Sequence, residues 1–383
     1  MPFWSNPAVR GGVYQVTVLA GVFALGAYLI DNTLDNLAAR SIRSGFGFMA
    51  REAGFELGES LIPYEPSDSY ARAYLAGFVN TMKVSFAGIV LCSILGLFVG
   101  IARLSKNWLV ARLASFYVET LRNIPILLQL FFWYALIIEV LPPSLDAINL
   151  GPGVFLSKSG LLFPLPLYDP AHAWVGLAFL VGIPAAVFYG HWAKQRQNAT
   201  GQQLPRLLPT VGLVLGPAII VFLILGAPLT FEVPVFQRFR FVGGGELTPE
   251  FLALWLGLSI YTSAFVAEVV RAGILAVDWG QNEAAGALGL RRGLVLRLVV
   301  LPQALRVIIP PTTNQYLNLA KNSSLAVAVG YPDLTSVTNT SLNQTGQAVE
   351  CIAVMMAVYL TLSLLISAGM NIYNRVVAIP DRR

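Results

Sequence analysis

Charge is scarce in this sequence: Asp, Glu, Lys and Arg make up only 12% of its 383 residues, while 56% are apolar. A soluble globular domain carries roughly 25% charged residues. Half that share cannot cover a water-facing surface, which excludes an ordinary soluble protein. Cysteine and histidine are scarcer still, with two of each. Cys92 and Cys351 lie inside apolar runs and read as small buried side chains, which excludes a disulfide-rich secreted scaffold. His172 and His191 are far apart, and no spacing of His, Cys, Asp or Glu suggests a metal cluster. None of the five lysines (83, 106, 158, 194, 321) follows a glycine. A phosphate-cradling G-x-x-x-x-G-K-[ST] loop is therefore absent, and the chain is not by itself a P-loop ATPase. The net charge is +5, but its basic residues are scattered among apolar blocks, which argues against a nucleic-acid surface.

What is present is a series of apolar segments of membrane length. A helix needs about 20 mainly apolar residues to cross a bilayer core. Eight candidates follow: Gly11–Ile30, about Val84–Ala102, Ile124 to about Leu141, about Ala173–Tyr189, about Leu208–Gly226, about Phe251–Leu275, a span from near Leu305 that Pro310 and Pro311 are expected to interrupt, and about Cys351–Met370. The first lacks a small-residue cleavage site behind it and reads as a retained span rather than a signal peptide. With the N-terminus inside, 16 of 25 basic residues fall on inner segments and 8 on outer ones, with Lys321 left within a span. The positive-inside rule then places both termini in the cytoplasm. The expected fold is an all-α polytopic membrane protein of about eight transmembrane helices.

Two loops are unusual. The outer stretch from Asp31 to Asn80 is too long for a simple connection, and Leu37–Phe48 has the pattern of a short amphipathic element on the membrane surface. The inner stretch 277–302 holds Glu283-Ala284-Ala285, three residues, Gly289, nine residues, and Val299-Val-Leu301-Pro302. Small Ala and Gly side chains let such a surface helix lie close to a partner, and Gly289 permits a turn at positive φ.

This stretch resembles the EAA loop of ABC-importer permeases, with Val299 in place of the usual Ile. Tyr261-Thr-Ser-Ala-Phe-Val-Ala-Glu268-Val-Val-Arg271, Gly280-Gln281, Leu301-Pro-Gln-Ala-Leu-Arg306, Leu319-Ala-Lys-Asn-Ser-Ser-Leu325 and Tyr117-Val-Glu-Thr-Leu-Arg122-Asn-Ile-Pro125 narrow the resemblance to the polar amino acid uptake permeases. The extra first span, the long outer loop, the inserted fourth and fifth spans and Asn343-Gln-Thr-Gly-Gln-Ala-Val-Glu350 resemble the longer permease subunit of the general L-amino acid importers.

The resemblance implies a type I importer core of five helices plus one N-terminal and two inserted ones. It divides the chain into residues 1–80 (first span and outer loop) and 81–383 (transmembrane domain), with the inserted pair at about 142–249. It also implies a mechanism in the bacterial inner membrane. A periplasmic binding protein delivers an L-amino acid, and this chain pairs with a second, different permease. Two ATPase subunits hold the ATP and Mg, this chain carrying no cofactor, and drive the motion through the EAA loop. Docking is assigned to Gly280, Gln281, Glu283, Ala284, Ala285, Gly289 and Leu290, with Pro302 closing the motif. Glu283 either bonds to the ATPase or caps its own helix start.

Ionisable and polar residues within spans are functional candidates by default. Gln129, Tyr261, Ser263, Glu268, Asn314, Asn318 and Lys321 are the candidate substrate pathway. Each has a plainer role open to it. Glu268 and Arg271, like Glu119 and Arg122, have the spacing of a local ion pair. Gln129 suits helix–helix hydrogen bonding, and Tyr261 and Ser263 suit packing. Lys321 either meets a substrate carboxylate or snorkels outward. A polytopic membrane enzyme would need acidic residues or histidines converging at one depth, and a channel would need rings of repeated polar residues. Neither pattern is visible. An ion-gradient-driven secondary transporter of amino acids stays open as the alternative, since it also uses broken helices, but it leaves the EAA loop unexplained.

Overall fold

A computed structural model describes residues 7–39, 44–202, 204–205, 207–227, 229–238 and 240–377. Along the chain, α1 (Pro7–Ala39), a 3₁₀ turn (Phe46–Ala50), α2 (Tyr70–Ala102), α3 (Trp108–Asn123) and α4 (Ile126–Ala135) come first, α4 continuing as a π turn to Val140. Strands β1 (Ile148–Gly151), β2 (Val154–Ser157), β3 (Gly160–Phe163) and β4 (Leu165–Pro166) precede α5 (Ala171–Thr200) and α6 (Leu207–Ile224). Strands β5 (Phe231–Glu232), β6 (Val235–Gln237), β7 (Arg240–Val242) and β8 (Gly245–Leu247) lead into α7 (Pro249–Leu275) and α8 (Trp279–Ala287). Then come α9 (Arg292–Val295), α10 (Leu301–Asn322), α11 (Leu334–Thr345) and α12 (Ala348–Val377). Among the described residues, seven helical stretches are long and apolar enough to cross a membrane, and the bent pair α3–α4 makes an eighth if counted as one span.

The expected third span, from Ile124 to about Leu141, is α4 with its π turn, and the chain bends by 105° between α3 and α4 just before it. Pro125 disfavours helical backbone at the residue before it, and Ile124 is extended, at φ −93° and ψ 127°. The seventh span is corrected. Pro310 and Pro311 lie inside the unbroken helix α10. They remove two backbone donors, a loss that neighbouring helices and side chains make good in membrane proteins. The irregularity falls later, as a 3₁₀ turn over Ser323–Val329. The amphipathic reading of Leu37–Phe48 fails at its end: Arg40–Arg43 lie outside the described residues, and Phe48 is fully buried rather than on a surface.

The chain folds as two compact units, Met1–Leu136 with Glu250–Arg383, and Ile137–Pro249. The first is organised by α2. Its buried positions include Gly77, Thr81, Ser85, Gly88, Cys92, Gly96 and Gly100, a row of small residues at helical spacing. A methyl group placed on Gly96 would lie 2.6 Å from Val266, and one on Gly100 2.7 Å from the carbonyl of Ala267. The α2 and α7 backbones therefore touch, the usual way helices associate where lipid removes the hydrophobic drive. Gly88 meets Leu319 of α10, and Gly77 meets Leu334 and Val337 of α11.

The outer stretch after residue 44 belongs to this unit as a folded cap. Phe48, Ala53, Tyr70 and Tyr74 share a core with Leu334, Val337 and Cys351. The Gly45 amide donates to the Glu350 carboxylate at 2.5 Å and its carbonyl accepts from Gln347 at 2.9 Å. Tyr70 donates to Gln344 at 2.7 Å. Three side chains of the 343–350 motif thus hold the cap and the start of α2.

The second unit holds the α5–α6 pair, in which Gly182 lies against the backbone of Leu213 and Val214. Gly201, at φ +73°, closes α5. Its strands form an antiparallel sheet in the order β1-β2-β3-β8 and two small pairs, β4 with β5 and β6 with β7. The strands are two to four residues long and lie outside what the sequence led us to expect.

Candidate coupling helix and transport pathway

Helix α7 lines a cavity, carries an ion-paired carboxylate further along, and leads into α8. Asp278 caps α8, its Oδ1 accepting from the Gly280 amide at 2.8 Å. Glu283 therefore does not cap the helix. Its carboxylate accepts from the Trp279 indole N–H at 2.9 Å instead. At the other end, Leu290 N–H bonds to Ala285 O at 3.2 Å and Gly289 N–H to Gly286 O at 2.9 Å, with Gly289 at φ +74°. This is a Schellman closure, which requires a left-handed residue at the Gly289 position.

Of the expected docking residues, Ala285 faces inward, packed with Val295, Val300, Ile274 and Val277, and Leu290 joins that cluster at its edge. Gly280, Gln281, Glu283, Ala284 and Gly289 are exposed. So are Trp279 (73%) and Leu288 (81%), large apolar side chains that the sequence reading did not single out. A groove of about 520 Å³ runs beside α8, lined by Trp279, Asn282, Gly286, Leu290 and, from the α2–α3 turn, Lys106. Pro302 sits inside one helical run from α9 through a π turn at Leu296–Val300 into α10. The π turn falls where Pro302 has no N–H to give to the preceding turn.

About two turns before the end of α7, Glu268 accepts from Arg271 at 2.6 Å and also binds Arg103 at the end of α2. Arg103 reaches Ser115 of α3 as well. The expected local pair is thus a triad that fastens α2, α3 and α7 together, and Glu268 does not line the cavity described next. Glu119 and Arg122 do not pair, and the Arg122 guanidinium lies 5.1 Å from the Phe265 ring centre instead.

Further out, a cavity of about 320 Å³ is lined by Tyr261, Thr262 and Phe265 of α7 and by Gln315, Asn318, Lys321 and Asn322 of α10. Tyr261, Asn318 and Lys321 meet there as expected. Their helical rows converge because α7 presents positions i, i+1 and i+4, and α10 presents Gln315, Asn318 and Asn322 at i, i+3 and i+7. No carboxylate lines the cavity, and among the described residues Lys321 forms no ion pair. Besides Glu268, three expected residues lie elsewhere. Ser263 is buried between Tyr117 Oη (2.7 Å) and its own Ile260 carbonyl (2.7 Å). Gln129 is buried, its amide donating to the carbonyls of Leu121 and Ile124 at 2.9 and 3.0 Å, so it caps α3 across the bend. Asn314, next to Gln315 on α10, lies outside the cavity lining and is exposed. The missed residues, Thr262, Phe265, Gln315 and Asn322, are neighbours of expected ones in sequence. The helical row was legible, but which flank faces α7 was not. Among the described residues no cluster of three or more His, Cys, Asp or Glu is placed to hold a metal ion.

Comparison with known proteins matches residues 92–379 to the family described as "Binding-protein-dependent transport system inner membrane component". The chain is similar to the general L-amino acid transport system permease protein AapQ of Rhizobium johnstonii, with 46% identity over 98% of this chain and 94% of that protein. It is also similar to the putative amino-acid ABC transporter permease protein YhdX of Escherichia coli, with 47% identity over 99% of this chain and 97% of that protein. The glutamate/glutamine/aspartate/asparagine transport system permease protein BztB of Rhodobacter capsulatus is 39% identical over 97% and 95%. The family match covers most of the chain, including α7, the EAA stretch and α10, and by it this chain belongs to the inner-membrane components of binding-protein-dependent transport systems.

Proposed function

We propose that this chain is the permease subunit that carries L-amino acids through the membrane in an ATP-driven importer. The observation that carries this reading is α8. It is a short helix capped by Asp278 and closed at Gly289 that exposes Trp279, Glu283, Ala284 and Leu288 and follows the helix lining the cavity. Such a surface suits a separate ATPase, which would hold the ATP and Mg while this chain contributes no phosphate-binding loop. The family sets aside the gradient-driven transporter. A binding protein delivers the substrate from outside, and a second, different permease chain completes the pathway. Both termini face the cytoplasm, on the distribution of basic residues.

Within the pathway, Lys321 meets the substrate carboxylate, while Tyr261, Asn318 and Gln315 offer neutral hydrogen-bonding groups to the rest of an amino acid. The names of the relatives support this substrate class. The test is uptake of labelled glutamate and glutamine in cells expressing the chain with its partners. ATP is depleted while the proton gradient is kept, and then the reverse. Uptake that follows ATP and is lost in Glu283→Arg and Gly289→Asp supports the reading. Uptake that follows the gradient and ignores both substitutions overturns it.

A further inference from the structure

The cavity has an outer neighbour on the same face of α7. Thr262 lies 11 positions after Phe251, three helical turns or about 16 Å at 1.5 Å per residue. Phe251 is buried and packs against Trp255 and Tyr331, with ring centres 6.1 and 5.8 Å away. Tyr331 ends the turn that leads out from Lys321 and Asn322. Both walls of the cavity therefore continue outward to this aromatic pair.

A limb of the outer cap is fastened there. The Lys83 ammonium of α2 lies 4.3 Å from the centre of the Phe251 ring and binds the Glu59 carboxylate. Both side chains are mostly buried, at 19% and 10% exposure. One turn away, fully buried Asn80 donates to the carbonyls of Glu59 (2.8 Å) and Pro332 (2.9 Å) and accepts from the Leu61 amide (3.4 Å). The limb from Glu56 to Ile62 has no regular secondary structure. The cap on either side of it is held independently, by Glu350 and Gln347 on Gly45 and by Arg72 on the carbonyl of Pro63. The bonds to Asn80 and Lys83 fix the polar side of this limb, while Leu57 packs it against the cap core.

We propose that the Glu59–Lys83 pair, with Asn80 beside it, is the latch of an outer gate above the cavity, a reading that rests on the transport pathway assigned above. A buried ion pair contributes little net stability but is costly to leave half-made. It therefore suits a contact with two states, closed on itself or replaced when a partner engages the cap. The limb reports the outside to α2, and α2 touches α7 through Gly96 and Gly100.

The test uses the whole complex in vesicles, with Asn322→Cys, a half-buried residue of the cavity lining, as reporter. Cys92 and Cys351 are buried and do not compete for the label. A membrane-impermeant maleimide is added from the outer side without binding protein. In Glu59→Gln and in Lys83→Met, labelling and binding-protein-independent ATP hydrolysis rise at least about five-fold, because removing one partner of a buried pair leaves the other without its match. The exchange Glu59→Lys with Lys83→Glu returns both toward the parent. Parent-like values in both single variants, or an exchange no better than either, overturn the latch. Saturating amino acid added to the parent separates the two readings. Slower labelling supports the pathway, and unchanged labelling refutes the pathway while leaving the latch to be judged on the variants alone.

Discussion

Two helices carry the same G-x-x-x-G spacing and use it differently. On α2, Gly96 and Gly100 lie against the α7 backbone so closely that a methyl group on either would clash. On α6, Gly212 and Gly216 have nothing within 4 Å. There the close approach is made from the other side, by Gly182 of α5 against Leu213 and Val214. The same contrast runs through the spans as wholes: 61% of the most apolar stretch of α7 is buried by this chain, against 6% for α6. Small residues permit a close contact. Whether one forms depends on which face the neighbouring helix occupies, and that is set by the rest of the fold.

The contrast is broken most strongly at the glycines. Gly96→Val or Gly100→Leu overpacks a backbone contact and costs about 3 kcal/mol, at the upper end for such changes. Gly212→Val and Gly216→Leu stay within about 0.5 kcal/mol, as for sites without neighbours. Unfolding in detergent compares the four, and equal losses would mean that α6 is as tightly packed as α2.

A second pair separates two helix caps. Asp333 caps α11, its Oδ1 accepting from the Ser336 amide and its Oδ2 from the Tyr359 hydroxyl. It is fully buried, and burial pushes its carboxyl up from 3.8 to about 6. The folded protein therefore holds a proton that the unfolded chain releases. Stability is highest below about pH 4, falls as the pH rises to about 6, and is flat above. The loss is roughly 2–3 kcal/mol, because each tenfold gain in proton affinity on folding is worth about 1.4 kcal/mol. Asp333→Asn keeps the cap and flattens this dependence, so the variant is the more stable protein at pH 7. Asp278 caps exposed α8, and Asp278→Asn keeps that cap at a cost of under about 0.5 kcal/mol. Melting temperatures between pH 4 and 8 read both, and a slope retained in Asp333→Asn would place the titration elsewhere.

The third pair is smaller. Glu268→Gln breaks the triad with Arg103 and Arg271 and costs about 1–2 kcal/mol, as for a hydrogen-bonded charge in a partly exposed place. Glu119→Gln, with the same spacing to an arginine but no such partner, costs under about 0.5 kcal/mol. Chemical denaturation distinguishes them. A double-mutant cycle with Arg103→Met tests whether the Glu268 loss belongs to the α2 contact.

Much of this was legible in the residues. Apolar run lengths located the spans, because a bilayer imposes one length on every crossing helix. The EAA spacing located α8, because a Schellman closure calls for a residue such as Gly289. Tyr261, Asn318 and Lys321, which meet at one cavity, were singled out because polar residues inside a span stand out against their neighbours. The candidates that lie away from that cavity share one reason. Glu268 was placed in the pathway because sequence shows its partner at i+3 and not Arg103, which is 165 residues away. Gln129 and Ser263 were placed there because sequence does not tell a polar group satisfied by a remote carbonyl or hydroxyl from one awaiting a ligand. The short strands of the second unit escaped because two to four residues carry no periodicity.

By itself, then, the sequence determined that the chain crosses a membrane, roughly where, and that a small-residue helix follows the sixth span, since these follow from composition, length and local backbone preference. The tertiary structure alone decided that α3 and α4 meet at a 105° bend, that Pro310 and Pro311 leave α10 whole, that Arg103 joins Glu268, and that Glu59 closes on Lys83. Each of these depends on groups far apart in the chain whose satisfaction in a low-dielectric interior is a property of the packed whole.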